Sequence, residues 1–191
     1  MRVVAGEARG RRLVAPSGSD TRPTLDRVRE AMFNALVSLD AVRDSRVLDL
    51  YAGSGALGIE ALSRGASSCV FIDLDRAARR AIDTNLATTG YADRSTVVGR
   101  DVASWLQESV ATADPVRGGF DLVLLDPPYA TDESQWTVLF DALAVLAAGG
   151  VVVAESARSI ACPDGWDAQR EKRYGGTLVT ILLPPVRPES A

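Results

Sequence analysis

From residue 47 onward the chain repeats one unit: a short apolar run, a turn rich in Gly or Asp, then apolar residues at every third or fourth position. Residues 47–51 lead into 56–63, with Gly65 as a helix stop; 69–73 lead into 77–86 and Gly90; 96–98 lead into 102–110. Residues 120–125 are apolar except for Asp121, as a strand covered on both faces requires. Trp136, Leu139, Phe140, Leu143 and Leu146 then mark one face of a helix that ends at Gly149-Gly150, and 151–154 add a fifth strand. Parallel strands need crossovers of this kind. The pattern therefore predicts an open, doubly wound α/β sheet, closed by a hairpin of 166–174 and 177–183 around Gly175-Gly176.

Ahead of that repeat, residues 1–22 carry Gly6, Gly10, Pro16 and Gly18 and read as a basic arm or hairpin of short strands. Leu25, Val28, Met32, Ala35, Leu36 and Leu39 then define one buried helix face. We expect three parts: the arm at 1–22, one α/β domain at 23–186, and a loose tail at 187–191 around Pro188.

Composition excludes several chemistries. The 191 residues contain no His, which removes the Ser-His-Asp triad, the Cys-His pair and histidine-ligated metal. Cys69 and Cys162 form no CxxC pair, so no metal site and no disulfide framework is expected. No apolar stretch approaches the roughly 20 residues of a membrane helix. The start has no signal-peptide core, so the expected location is cytoplasmic. Net charge is -4, unevenly spread: residues 1–29 hold seven Arg against three acids, leaving +4 there and -8 in the remainder. A basic cluster on an acidic chain marks a candidate nucleic-acid edge.

The first strand-helix junction reads VLDLYAGSGALGIEAL, in which Gly53, Gly55 and Gly58 satisfy G-x-G-x-x-G. Asp73 follows Gly53 by 20 residues at the end of the second strand, where a carboxylate can accept from ribose hydroxyls. That much suits NAD and S-adenosylmethionine equally. Asp49, at the end of the first strand, favours the latter, because an acid there repels a pyrophosphate but neutralises an ammonium. Tyr51, Ala52, Ser54 and Leu74 flank these positions as cofactor candidates, and Asp126, at the end of the fourth strand, is another. Asp101 and the Val102 backbone fit adenine, although Asp101 can equally serve as a helix cap, the role assigned to Asp75.

The fourth strand ends in LLDPPYA. Pro127 and Pro128 have no N–H, so Asp126 and the local carbonyls present acceptors only. Such a pocket, with Tyr129 as an aromatic wall, suits a planar exocyclic amine stacked on the ring. Accepting the amine's protons frees the nitrogen lone pair for attack on a sulfonium methyl, and an ordinary carboxylate can take the proton late.

Four segments together resemble the 16S rRNA guanine-N2-methyltransferases of the RsmD type: TRPTLDRVREAMFNAL (21–36), DLYAGSGALGIEALSRGA (49–66), FIDLDRA (71–77) and LLDPPYA (124–130). The resemblance covers nearly the whole chain, and the first segment is its most specific part. It implies a Rossmann-like sheet of seven mostly parallel strands with helices on both faces. It also implies methyl transfer from S-adenosylmethionine, without metal, to a guanosine N2 in small-subunit rRNA. It implies an assembled or partly assembled subunit as the substrate; the sequence itself offers no obvious dimer surface, so a monomer is expected. Carried over by position, Asp49, Gly53 and Gly55 border the methionine end, Asp73 the ribose, Asp101 and Val102 the adenine, and residues 126–129 the target base. Asp126 stands where many relatives of the wider class have Asn, and both offer a carbonyl-type acceptor. Arg9, Arg11 and Arg12 would contact phosphates, with Arg22 and Arg27 nearer the cofactor mouth. A DNA adenine-N6 methyltransferase and a non-catalytic RNA-binding or ribosome-assembly factor are the competing readings.

Overall fold

A computed structural model describes residues 1–16, 24–112, 119–128 and 130–186, with backbone alone at Thr24 and Leu25. Helix α1 (Thr24–Ser38) precedes β1 (Arg46–Leu50), α2 (Ala56–Ser63), β2 (Ser68–Ile72), α3 (Arg76–Thr89), β3 (Ser95–Val98), α4 (Val102–Thr112), β4 (Leu122–Leu125), α5 (Glu133–Leu146) and β5 (Val151–Ser156). The chain ends in the hairpin β6 (Asp167–Tyr174) and β7 (Thr177–Leu183). One sheet runs β3-β2-β1-β4-β5-β7-β6, the first five strands parallel and β7 antiparallel to both neighbours. The doubly wound reading thus holds. The order reverses between β1 and β4, which opens a crevice beyond their carboxyl ends.

Strand alternation sorts side chains into two cores. Val47, Leu122, Leu124 and Val153 face α1, α2 and α3, whereas Leu48, Leu50, Val123 and Leu125 face α4 and α5. All four β4 residues are buried because both faces are covered. Truncating one to Ala would cost about 2–5 kcal/mol. Asp75 caps α3 by accepting from the N–H groups of Ala77 and Ala78, and Asp132 caps α5 in a reciprocal box with Gln135. No helix among the described residues is long and apolar enough to cross a membrane.

Residues 1–13 form a short hairpin with one bridge, Arg2 to Arg12, and bury Val3, Ala8 and Leu13 in the first core. Gly6 sits at φ +82, and a Cβ there would fall 1.8 Å from the Ser63 carbonyl oxygen, so only glycine allows this approach. The fully buried Glu60 accepts from the N–H groups of Val4 (2.8 Å) and Ala5 (3.0 Å) and pairs with Arg64 (2.8 Å) and Arg29 (3.4 Å). A buried carboxylate holds its charge only with such partners. The hairpin, α1 and α2 are thereby tied together.

Candidate active site at the carboxyl edge of the sheet

The positions leaving β2, β1, β4 and β5 bring four carboxylates into a row. Leu50 pairs with Ile72 and with Leu125, and Leu125 pairs with Ala154. Asp73, Asp126 and Glu155 are the next residues on their strands, while Asp49 lies one step earlier on β1. Period-two alternation sets Asp49, Asp126 and Glu155 on the face toward α1. A cavity of about 250 Å³ agrees with that placement: Asp49, Gly53, Ser54, Asp126 and Glu155 line it, opposite Val28 and Arg29 of α1. An open groove of about 380 Å³ shares Tyr51 and Asp126 with that cavity and adds Asp73, Pro127 and Pro128.

The glycine loop is held by carboxylates on either side. Asp73 accepts from the Gly53 N–H at 2.8 Å and from the Asp75 N–H at 2.8 Å. Asp49 accepts from the Gly58 N–H, in the first turn of α2, at 2.9 Å. Tyr51, Gly53 and Gly55 all adopt positive φ, which turns the chain sharply before α2. Gly58 serves packing instead: a Cβ would lie 2.4 Å from Phe71 Cε1 and 2.6 Å from Cys69 Sγ, so this glycine lets α2 lie flat on β2. Asn85 of α3 steadies the loop by donating to the Ser54 carbonyl at 2.8 Å.

Burial pushes the Asp49 carboxyl well above its ordinary range, and the charges of Asp126 and Asp73 act in the same direction against the Gly58 N–H. Asp126 reaches solvent at the mouth, but the protein walls around it raise its carboxyl to about 6. Glu155 is 8% exposed. Burial, with Asp126 and Asp49 adding to it, lifts its carboxyl to about 8, and Arg29 only partly offsets this. Burial and then Asp101 raise the Tyr51 hydroxyl. Three raised carboxyls around one cavity describe a site short of positive charge and of N–H donors.

The other candidates divide. Tyr51, Ala52, Gly53 and Ser54 line the cavity with Asp49. Gly55 forms the left-handed N-terminal cap of α2. Leu74 is 65% exposed and lines neither space, so its side chain offers no wall to a ligand held there. Asp101 caps α4, accepting from the Ser104 N–H and hydroxyl at 2.9 Å each. Val102 packs into the second core. Arg9, Arg11 and Arg12 are exposed on the hairpin, and Arg27 is exposed on α1. Arg22 and Tyr129 lie outside the described residues. Two charged residues of the cavity escaped the sequence reading, Arg29 and Glu155. The signals were present: Arg29 sits between Val28 and Met32 on the apolar face of α1, and Glu155 ends the apolar run of β5 as Asp49 nearly ends that of β1.

The profile of the family described as Conserved hypothetical protein 95 matches residues 1–183. The chain belongs to this family. Among the relatives, Ribosomal RNA small subunit methyltransferase D of Escherichia coli (strain K12) is 35% identical over 194 aligned positions, which cover 100% of this chain and 93% of that protein. The structure of yhhF from Escherichia coli superposes with a TM-score of 0.81 at 34% identity, covering 98% of this chain and 99% of the other. A hypothetical protein of Thermus thermophilus does so with a TM-score of 0.79 at 30% identity, covering 96% and 99%. The family's matched segment takes in the hairpin, α1, the glycine loop and the DPP turn together. The fold is thus shared with relatives that match the chain over nearly its whole length.

Proposed function

We propose that the protein transfers a methyl group from S-adenosylmethionine to the exocyclic N2 amine of one guanosine in small-subunit rRNA. The observation that carries this reading is Asp126: a raised carboxyl beside two prolines without N–H groups, facing the glycine loop across one cavity. The relative named Ribosomal RNA small subunit methyltransferase D supports the substrate class.

The residues fit the cofactor. The positive-φ loop at 51–55 leaves an open curve beside Asp73, whose carboxylate has acceptor capacity left for ribose hydroxyls after its two backbone bonds. Asp49 faces the methionine end, where a positive charge would bring its raised carboxyl down into the ionised form. Asp101 and the Val102 backbone stand on the adenine side. Bound S-adenosylmethionine supplies an electrophilic methyl group on a sulfur that leaves as the neutral thioether.

Asp126 accepts one proton of the target amine in a hydrogen bond and the Pro127 carbonyl accepts the other, with Tyr129 stacked on the base. This would orient the amine nitrogen toward the cofactor side of the cavity, and most of the rate enhancement would come from that orientation. An amine nitrogen that has taken a methyl group would be acidic. Asp126, at about 6, takes its proton and passes it to water at the open mouth. Arg9, Arg11, Arg12, Arg22 and Arg27 contact phosphates, so that a chain of net charge -4 docks by one basic edge on an assembled or partly assembled subunit, as a cytoplasmic monomer.

Labelled S-adenosylmethionine tests the reading against small subunits from a strain lacking the gene, their stripped rRNA, and duplex DNA, followed by nucleoside analysis. N2-methylguanosine from subunits is expected. N6-methyladenosine from DNA, or no transfer to any of the three, contradicts it.

A further inference from the structure

Neither the fold nor the chemistry above uses Glu155. Its side chain is buried and lines the 250 Å³ cavity, yet among the described residues no donor is hydrogen-bonded to its carboxyl. Asp49 spends an oxygen on Gly58, whereas Glu155 has nothing comparable. Arg29 is the cation that faces it, and Arg29 is already held by Asp26, Glu60 and the Arg2 carbonyl. The Glu155 carboxyl oxygens are not sealed inside the protein but open onto that cavity, where a ligand's donor can meet them.

The sheet order says which ligand. Along β2-β1-β4-β5 the carboxylates run Asp73, Asp49, Asp126, Glu155. The glycine loop leaves β1, so the methyl donor occupies the β2-β1 side of Asp126. Glu155 stands on the opposite side, one strand spacing of about 4.8 Å from Asp126 along the β4–β5 pair. That is the side on which the accepting base must lie for an in-line attack. In guanine the group flanking the N2 amine on its Watson–Crick edge is the N1–H donor, whereas in adenine the ring nitrogen beside the N6 amine carries a lone pair.

The geometry points to Glu155 as a specificity-determining residue: with Asp126 on the exocyclic amine, Glu155 accepts the adjacent ring N–H and turns away a base that presents a lone pair there. This rests on the guanine reading above. Burial and the charges of Asp126 and Asp49 hold this carboxyl up, and a ring N–H donated to it favours the ionised acceptor form. To that ionised carboxylate a facing lone pair presents a second acceptor, which is how hydrogen-bonding sites reject near-isosteres.

The test uses subunits reconstituted with rRNA bearing guanosine or 2-aminopurine at the methylated nucleotide. 2-Aminopurine keeps the amine at C2 but has a lone pair at N1. Wild-type protein should prefer guanosine by about 100-fold in kcat/KM. Glu155→Gln offers an amide N–H to the lone pair, so that preference should fall to about 10-fold or less, and Glu155→Leu should lose about 100-fold on guanosine. Calorimetric S-adenosylmethionine affinity should stay within about threefold in both variants, which also reports that they are folded. An unchanged preference in Glu155→Gln, or a loss of cofactor affinity beyond about tenfold, overturns the assignment while leaving the guanine reading intact. Methylation of adenosine by the wild-type protein overturns both.

Discussion

The two halves of the carboxylate row differ in what satisfies them. On the donor half, Asp73 and Asp49 accept from the N–H groups of Gly53, Asp75 and Gly58 at 2.8 to 2.9 Å. On the acceptor half, Asp126 and Glu155 receive no hydrogen bond from a described residue. The first half is therefore built by the backbone before any ligand arrives, and its acids belong as much to folding as to binding. The second half has no hydrogen-bond donor among the described residues and is left open to a ligand's donors. Substitutions on the donor half should harm both the loop and the cofactor, whereas those on the acceptor half should harm transfer and leave the fold intact.

The largest effect expected from that contrast is at Asp126. Asp126→Ala should reduce methyl transfer to subunits by roughly 1,000-fold or more, since both orientation of the amine and its proton acceptor are lost. A drop below about tenfold in single-turnover assays would move the chemistry elsewhere. Next comes the hairpin, whose guanidiniums lie outside the row. Replacing Arg9, Arg11 and Arg12 together by Ala should weaken subunit binding by about 10- to 100-fold and make the slope of log K against log salt shallower by about 2 to 3. Filter binding across a salt series checks this, and an unchanged slope would remove the hairpin from the RNA interface.

Gly58→Ala probes the donor half, because its Cβ meets Phe71 and Cys69 at 2.4 and 2.6 Å. Thermal unfolding should show a loss of about 1–3 kcal/mol. Cofactor affinity should fall with it, since the same residue's N–H anchors Asp49. The smallest effect concerns pH. Glu155 is raised in the folded protein from its ordinary 4.5 to about 8. A raised carboxyl favours the fold while protonated, so its contribution is fully present below about pH 4.5 and is lost as pH rises through 8. Ligand-free protein should therefore lose stability between pH 5 and 8. Glu155→Gln should flatten that decline and gain on the order of 2 kcal/mol at pH 8. A steeper decline in the variant would show that Glu155 is ionised in the ligand-free cavity.

The same contrast explains what the sequence made legible. Alternating periods located the five parallel strands to within about two residues, because buried parallel strands are apolar and their crossovers amphipathic, while the Gly175-Gly176 turn located the exposed β6 and its partner β7. The donor half was readable because strand, glycine turn and helix are contiguous, so Asp49 and the loop appear in one short stretch. Asp101 was ambiguous between ligand and cap, and the structure shows the capping bonds to Ser104. Glu155 and Arg29 were missed for a tertiary reason. Glu155 is 29 residues beyond Asp126 and meets it only through the β4–β5 register. Arg29 enters the cavity because α1 is clamped to α2 and the hairpin through Glu60. The local signals, a charge on an apolar helix face and an acid at the end of an apolar run, mark both residues without saying what each one meets. Gly6, read as part of an arm, proves to be a packing residue for the same reason, its neighbour Ser63 lying 57 positions away.

The division between the two halves is tested most directly by titrating S-adenosylmethionine into Asp73→Asn and Asp126→Asn side by side with the wild-type protein. The account predicts a loss of affinity of about 30-fold or more for Asp73→Asn, which removes the charge that orders the loop and meets the ribose, and a change within about threefold for Asp126→Asn. Equal losses in the two variants would contradict it, because Asp126 would then belong to the cofactor rather than to the base.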